Sequence, residues 1–132
     1  MDALANMQLV TKEIRLKNNE LPEGEFTISP TFTRTTGETA DGRYYTELSV
    51  SLSNTKETPF PIDLYVCIAG IFELNNFDDE QIRSFLNLNA VQILFPYIRT
   101  IVSSITSTAM MPPIVLPIIN SQTLFPDENS DN

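Results

Sequence analysis

The sequence predicts an α+β fold: a four-stranded antiparallel meander sheet followed by a short and a long helix. Residues 8–72 contain four stretches of alternating apolar and polar residues, separated by turn residues, which is typical of strands. After Leu74 the apolar spacing changes to that of a helix. A length of 132 residues predicts one domain over residues 1–132.

The four predicted strands span residues 8–17, 25–35, 43–54 and 61–72. Pro30 lies inside the second stretch, so that strand is expected to be at an edge or to contain a bulge. The third has the clearest alternation, and the fourth is more continuously apolar, as expected for a central or interface strand. Short turns between consecutive strands predict the meander order.

Two helices are predicted after the strands. Residues 76–80 supply an N-cap and an acidic first turn for a short helix that ends near Leu86, and Asn87 and Asn89 are expected to break it. Pro96 falls inside the periodic stretch, so either it lies near the first turn of the long helix, where proline is tolerated, or the helix kinks there; the first alternative is favoured. The long helix is therefore predicted to begin near Phe95 and to reach Thr108.

The long helix has two different sides. Its broad apolar arc predicts core residues that face the sheet, namely Leu94, Ile98, Val102 and Ile105. The opposite side has one charged residue, Arg99, and is otherwise mainly small hydroxyl residues. Such a surface allows close approach of another backbone, and we interpret it as a subunit contact. The sequence therefore predicts a homo-oligomer.

The C-terminal part contains an extended segment. Pro112, Pro113 and Pro117 exclude a helix over residues 110–117. Residues 118–125 remain apolar, and residues 126–132, with three acidic residues, predict a disordered tail.

Charge and composition exclude several classes of function. A net charge of −9 and a pI near 4.3 disfavour binding to nucleic acid or to anionic membranes, because both need clustered basic residues. No signal peptide and no uninterrupted apolar run of membrane-spanning length is evident, so direct membrane insertion is not expected. A single cysteine, Cys67, indicates a cytoplasmic protein.

No catalytic or metal site is expected. The sequence has no histidine, so Ser103, Ser104 and Cys67 lack the usual activating base. The consecutive acids Asp78–Glu80 are explained by helix capping, and no carboxylate spacing resembles a calcium loop. The glycines form no phosphate-binding motif. We therefore expect no enzyme, no metal and no cofactor.

Several motifs resemble the SecB family of bacterial export chaperones. They are Thr11-Lys12-Glu13-Ile14, Gly70-Ile71-Phe72, Ile93-Leu94-Phe95-Pro96-Tyr97 with Arg99, and the proline-broken segment that ends in Leu124-Phe125. The resemblance implies a four-stranded antiparallel sheet with the short and the long helix on one face, assembled as a dimer of dimers. It further implies an ATP-independent holdase that binds unfolded preproteins and passes them to the SecA motor. It also implies a C-terminal helix, which is truncated or absent here because seven residues follow Phe125.

The resemblance places client grooves between the extended segment and the long helix. The residues expected in the groove are Ile93, Phe95, Tyr97, Ile101, Met110, Met111 and Ile114. Methionine suits such a groove because its flexible thioether adapts to many side chains. The alternative role for the four helix residues is a subunit seam, and for Met110, Met111 and Ile114 it is capping of the core.

The family's SecA-docking acidic face is only partly present. Glu13 matches an acidic position, Lys17 replaces another acid, and Tyr65 replaces a third with Asp63 two residues away. This difference leaves two alternatives to an export chaperone. One is a chaperone dedicated to a single client such as an antitoxin, and the other is a structural or ligand-binding oligomer with the same fold.

Overall fold

The computed structural model describes residues 3–117 together with residues 124 and 125. It confirms the α+β class, with a four-stranded antiparallel sheet and one long helix. The predicted tail and the C-terminal helix lie outside the described residues. The elements are β1 (Ala3–Asn18), β2 (Thr31–Glu38), β3 (Tyr44–Leu52), β4 (Ile62–Asn75), α1 (Asp79–Ser84), a π-helical turn (Phe85–Asn89) and α2 (Ala90–Thr108).

The strand order is β1-β4-β3-β2, so the predicted four-strand meander is wrong for β1. Only β2, β3 and β4 follow one another as a meander. The connection over residues 19–30 is not a short turn, and it carries the chain across the end of the sheet from one edge to the other. The backbone N–H of Asn19 donates to the Pro61 carbonyl at 2.8 Å, which fixes the end of β1 beside the start of β4.

Several strand boundaries differ from the prediction, chiefly the starts of β1 and β2 and the ends of β2 and β4. β1 begins at Ala3, because it pairs along the whole of β4, with register shifts between Leu4 and Asn6 and between Thr11 and Glu13. β2 begins at Thr31, immediately after Pro30, because proline has no N–H for a sheet hydrogen bond.

The short helix has the predicted acidic cap. The Gln81 N–H donates to Asp78 Oδ1 at 2.8 Å, and the Asp78 N–H donates to Gln81 Oε1 at 2.9 Å, which completes a capping box. The predicted break at Asn87 and Asn89 is wrong. These residues form a π-helical turn instead, and the helical run continues into α2.

Side chains from the sheet hold this π-helical turn. Thr46 Oγ1 donates to the Leu86 carbonyl at 2.8 Å, and Arg34 Nη1 donates to the Asn87 carbonyl at 2.8 Å. α2 therefore begins at Ala90 rather than near Phe95, and Pro96 lies inside it. Proline has no N–H to donate to the Gln92 carbonyl, four residues earlier. Pro96 and Gln92 are both exposed, so this carbonyl faces solvent, which limits the free-energy cost of the proline.

α2 packs on β3 and β4 and leaves the other side of the sheet open. We call these the helix side and the open side. Gly70 on β4 permits the close packing, since a Cβ there would lie 2.5 Å from the Phe72 ring and 3.4 Å from Leu94. The predicted core residues Leu94, Ile98 and Val102 are fully buried against strand residues, and Ile105 packs at the margin of this core.

The helical run Asp79–Thr108 has 30 residues and enough apolar character to cross a membrane by length and composition. A soluble core helix meets the same criterion. Here Leu94, Ile98 and Val102 are buried against the sheet, so the run is weak support for membrane insertion.

Candidate functional site

An extended segment, residues 111–117, lies along the hydroxyl-rich side of α2. Ser103 Oγ donates to the Ile114 carbonyl at 2.9 Å, and Arg99 Nε donates to the Leu116 carbonyl at 2.9 Å. The backbone N–H of Ile114 donates to Thr106 Oγ1 at 3.0 Å. α2 thus contacts alternate residues of an extended backbone through three side chains on one side of the helix.

These bonds revise the argument for an oligomer. The polar side of α2 does contact another backbone, but that backbone is the chain's own segment 111–117. The contact therefore does not require a second copy. Beyond the segment, an open cleft of about 580 Å³ remains. It is lined by Arg99, Thr100, Ser103, Ser104, Ser107, Thr108, Pro113 and Val115.

The turn between α2 and the segment places two methionines in opposite environments. The N–H of Met110 donates to the Ser107 carbonyl and that of Met111 to the Thr106 carbonyl, both at 3.1 Å, which forms a Schellman motif. Met111 is half-buried and packs against the core. Met110 is 95% exposed.

A second cleft, of about 340 Å³, lies between α2 and β1 on the helix side. Leu9, Leu94, Tyr97 and Ile101 are among its lining residues. It exists because α2 covers β3 and β4 but does not cover β1. Four large apolar side chains of β1 consequently remain more than a third exposed: Leu4, Met7, Leu9 and Ile14.

The structure divides the seven predicted groove residues among several places rather than one groove. Tyr97, half exposed, and Ile101 line the cleft beside β1. Phe95 is only 5% exposed, and its ring centroid is 5.6 Å from that of Phe32. Of the other four, Ile93 packs in a small cluster with Phe72. Met111 and Ile114 pack against the main core, and Met110 is exposed.

The apolar row on β1 is not evident from the sequence pattern. In the simple alternation Leu9 and Ile14 fall on opposite faces of the strand. The register shift between Thr11 and Glu13 places Lys12 in a bulge, and Leu9 and Ile14 consequently share the helix side. A bulge is set by pairing with β4, so the sequence of β1 alone gave no signal for it.

The predicted acidic face lies on the open side of the sheet, where basic residues of β1 accompany its acids. Glu13 forms an ion pair with Arg15, and the Arg15 guanidinium carbon lies 4.6 Å from the centroid of the Tyr65 ring. Lys12 Nζ lies 3.4 Å from Glu47 Oε2. The cations of β1 therefore reduce the negative potential of this face.

Asp63 has a structural role at the end of the same face. Its Oδ1 accepts hydrogen bonds from the Asn54 N–H at 2.9 Å and from Asn19 Nδ2 at 3.3 Å. These bonds, led by the one from Asn54, hold the pKa of Asp63 below its usual value. The carboxylate therefore holds the segment between β1 and β2 against the loop between β3 and β4.

Burial raises the pKa values of two side chains on the open side of the sheet, Cys67 and Tyr65. The neutral Cys67 thiol therefore predominates, and its Sγ lies 3.5 Å from Glu47 Oε1. Among residues 3–117, 124 and 125, no three His, Cys, Asp or Glu side chains are grouped so as to hold a metal ion.

Comparison with known proteins places this geometry in one family. Residues 8–132 match the family of the preprotein translocase subunit SecB. The chain is 36% identical over 95 residues to protein-export protein SecB of Roseobacter denitrificans, covering 68% of the chain and 55% of that protein. It is 33% identical over 99 residues to SecB of Azoarcus sp., covering 74% and 66%. The match thus spans between half and two thirds of these proteins.

Two further relatives extend the comparison. An uncharacterised protein of Methanocaldococcus jannaschii is 31% identical over 123 residues, covering 89% of the chain and 79% of that protein. The Mycobacterium tuberculosis SecB-like chaperone Rv1957, solved with a ChAD peptide from the HigA1 antitoxin, superposes with a TM-score of 0.72 at 17% identity, covering 90% and 91%. That likeness shows the fold. Because the family match includes nearly the whole sequence, the chain belongs to the SecB family, and a chaperone role follows from this membership.

Proposed function

We propose that the chain is a single-domain, ATP-independent holdase that binds extended apolar segments of unfolded preproteins. The proposal rests on apolar side chains that remain exposed to solvent outside the hydrophobic core. Tyr97 and Ile101 line the cleft beside β1, and Met110 projects into solvent. In this proposal these three contact the client, while Ile93, Phe95, Met111 and Ile114 support them from below.

The mechanism uses several weak apolar contacts in series rather than one tight pocket. Residues 100–125 contain no charged side chain, so this part of the chain can contact apolar polypeptide without desolvating its own ions. The net charge of −9 keeps a protein with exposed apolar surface soluble. No cofactor or catalytic step is part of the proposal, and release follows client folding or transfer to a partner.

A homo-oligomer, arranged as a dimer of dimers, forms part of the proposal. β1 is an edge strand, and its exposed side chains Leu4, Met7 and Ile14, which do not line the client cleft, offer apolar surface that a second copy can cover. Assembly multiplies weak client contacts through effective concentration. Light scattering on the purified chain tests this directly. A tetramer mass supports the dimer of dimers, a dimer mass supports self-association alone, and a monomer mass contradicts the proposal. The double variant Met7→Glu, Ile14→Glu, which leaves the lining of the client cleft unchanged, is expected to have the mass of a lower assembly state.

Two kinds of chaperone are candidates, and they differ in the client and in how it is transferred. In an export chaperone, the open side, with Glu13, Asp63 and Tyr65, would dock SecA. The ion pairs Glu13–Arg15 and Lys12–Glu47 instead favour the second candidate, a chaperone dedicated to one client, since they reduce the charge available to a basic partner. The antitoxin peptide bound by the structurally similar mycobacterial chaperone supports the same candidate.

One experiment separates these candidates. The chain is mixed with several unrelated unfolded proteins, aggregation is followed by light scattering, and SecA capture is measured in parallel. Suppression for many clients together with SecA binding indicates an export holdase. One tight partner without SecA binding indicates the dedicated chaperone. Failure to bind any unfolded protein refutes the holdase and leaves a structural or ligand-binding oligomer.

We place this activity in the cytoplasm, where unfolded preproteins are available before export. Neither nucleic acid nor a lipid bilayer is a partner in this proposal, because the acidic chain repels anionic surfaces.

A further inference from the structure

The cations of this acidic chain are unevenly distributed. Of its eight Lys and Arg residues, three lie within residues 12–17 of β1: Lys12, Arg15 and Lys17. In a regular strand Lys12 would face away from the other two, but the bulge turns it to the open side, where it contacts Glu47. Arg15 pairs in register with Tyr65 on the same side. The edge strand therefore presents all of its cations on the open side of the sheet.

Two of these cations line an open cleft of about 420 Å³ at one end of the open side. Three adjacent chain segments contribute two residues each to its polar lining. They are Arg15 and Lys17 from β1, Asp63 and Tyr65 from β4, and Ser51 and Ser53 from the end of β3. The lining thus has two cations and one anion, a net charge of +1, whereas the whole chain carries −9. This cleft is a positive site on an acidic protein.

The single carboxylate of the lining is already used by the fold. Asp63 Oδ1 accepts hydrogen bonds from two N–H groups that join the neighbouring loops. Lys17, by contrast, forms no ion pair with any residue that the structure describes. Arg15 contacts Glu13, which does not line the cleft, and the Arg15 side chain stays 66% exposed. The cleft thus offers cationic donors, which suits a ligand with anionic oxygen atoms.

The spacing of the two cations indicates which anionic ligand fits. Arg15 and Lys17 are alternate residues of an extended strand, so their Cα atoms lie about 7 Å apart. Alternate side chains of any extended polypeptide have the same spacing and point to one side. Carboxylates at alternate positions can therefore reach both cations, whereas a single phosphate would have to draw the two side chains together.

We propose that this cleft binds an extended acidic segment of a partner protein, with carboxylates at alternate positions. A basic segment, which the export candidate requires on the open side, would meet Arg15 and Lys17 as like charges. A long polyanion such as nucleic acid would extend past the cleft over the acidic remainder of the chain. For a short acidic segment, that repulsion is screened beyond about 8 Å at physiological salt.

Fluorescence anisotropy with short labelled peptides tests the proposal on the full chain. The probe alternates glutamate with serine, and we expect saturable binding. A second peptide of the same composition repeats two glutamates followed by two serines, so that no two glutamates are alternate residues, and it should bind more weakly. A third peptide, which alternates lysine with serine, should not bind.

Charge variants locate the site. Lys17→Glu should weaken binding of the alternating glutamate peptide about tenfold, because an attraction is replaced by a repulsion. Lys17→Gln only removes the charge and should weaken binding about threefold, which keeps the test available if the reversed charge beside Asp63 lowers stability. Lys56→Glu is the matched control, because it makes the same change in net charge at an exposed loop residue outside the cleft lining. Its affinity for the peptide should equal that of the parent.

The outcomes decide the proposal. Weaker binding by both Lys17 variants, with unchanged binding by Lys56→Glu, supports it. No binding by the parent, tighter binding of the lysine peptide, or equal effects of Lys17→Glu and Lys56→Glu overturns it. Equal binding of the two glutamate peptides, or displacement by inorganic phosphate at the concentration of the peptide, also overturns it.

This proposal and the holdase activity can fail separately. The cleft lies on the open side, whereas the client cleft beside β1 lies on the helix side. Suppression of aggregation should therefore be the same for Lys17→Glu and the parent. Loss of peptide binding alone leaves the holdase proposal standing, and loss of suppression alone leaves the acidic-segment site standing.

Discussion

Thr106→Val tests how the extended segment is held on α2. Thr106 is fully buried, and its hydroxyl donates to the Val102 carbonyl at 2.8 Å while accepting from the Ile114 N–H at 3.0 Å. Valine has nearly the same shape but can neither donate nor accept a hydrogen bond. The Ile114 N–H then loses its acceptor in a partly buried position.

The expected cost follows from that orphaned donor. A buried polar group without a partner costs about 1–3 kcal/mol, and partial exposure of Ile114 places this case near 1–2 kcal/mol. For a chain of this length that corresponds to a melting temperature lower by about 4–8 °C. The Ser103 and Arg99 bonds to the same segment remain, so the segment should loosen locally without complete loss of the fold.

Thr100→Val is the matched control. The Thr100 hydroxyl also donates back within the helix, to the Pro96 carbonyl at 3.0 Å, but it is exposed and contacts no segment residue through a hydrogen bond. Thermal unfolding followed by circular dichroism gives the stability, and hydrogen exchange gives protection of the Ile114 amide. Equal melting temperatures for the two variants, with unchanged protection at Ile114, would refute this account of the segment.

Three further predictions concern packing and pH. Gly70→Ala should lower the urea midpoint by the equivalent of about 1–3 kcal/mol, because the new Cβ overlaps the buried Phe72 ring; an unchanged midpoint would contradict this close packing. Met111→Asp should lower the melting temperature well below that of Met110→Asp, since only Met111 packs on the core; equal values would place both outside it. The hydrogen bonds from Thr39 and Arg43 lower the pKa of Asp41 to about 2. The stability that this carboxylate gives to the folded chain is therefore fully present above its unfolded pKa, near 4, and is lost as the pH falls through 2. Asp41→Asn should therefore lose less stability than the parent between pH 5 and pH 2, and parallel pH curves would argue against these bonds.

Local patterns predicted the parts of the fold that depend on nearby residues. Alternation in residues 43–54 and the apolar arc of Leu94, Ile98 and Val102 depend only on the period of one element, and the structure confirms both. The Asp78 cap likewise needs only the next three residues. For each of these features, all the determining side chains lie within one element.

Features that depend on distant partners were predicted wrongly. The helix continues through Asn87 because Thr46 and Arg34, from two strands, donate to the carbonyls of the π-helical turn. β1 pairs with β4, and the long connection then allows β2 to begin at the opposite edge of the sheet; strand patterns alone do not show this arrangement. For the same reason, the hydroxyl side of α2 indicated a backbone contact but could not indicate which chain supplied that backbone.

The sequence predicted the apolar character of the candidate site, but not the positions of its individual residues. The residues predicted a proline-broken, extended apolar segment with its methionines, and the family resemblance placed it beside the long helix; the structure shows that the segment lies along α2. It could not separate Met110 from Met111, because the turn that exposes one and buries the other is set by the Schellman hydrogen bonds. The apolar row of β1 was hidden by the bulge at Lys12.

The central claim is that the chain binds unfolded polypeptide through apolar contacts and without nucleotide. Isothermal titration of the parent chain with a reduced, alkylated, permanently unfolded protein tests this most directly, with the same protein in its native state as control. We expect saturable binding of the unfolded form alone, unaffected by ATP, with a negative heat-capacity change from apolar burial. No binding, equal binding of the native form, or a requirement for ATP would contradict the claim.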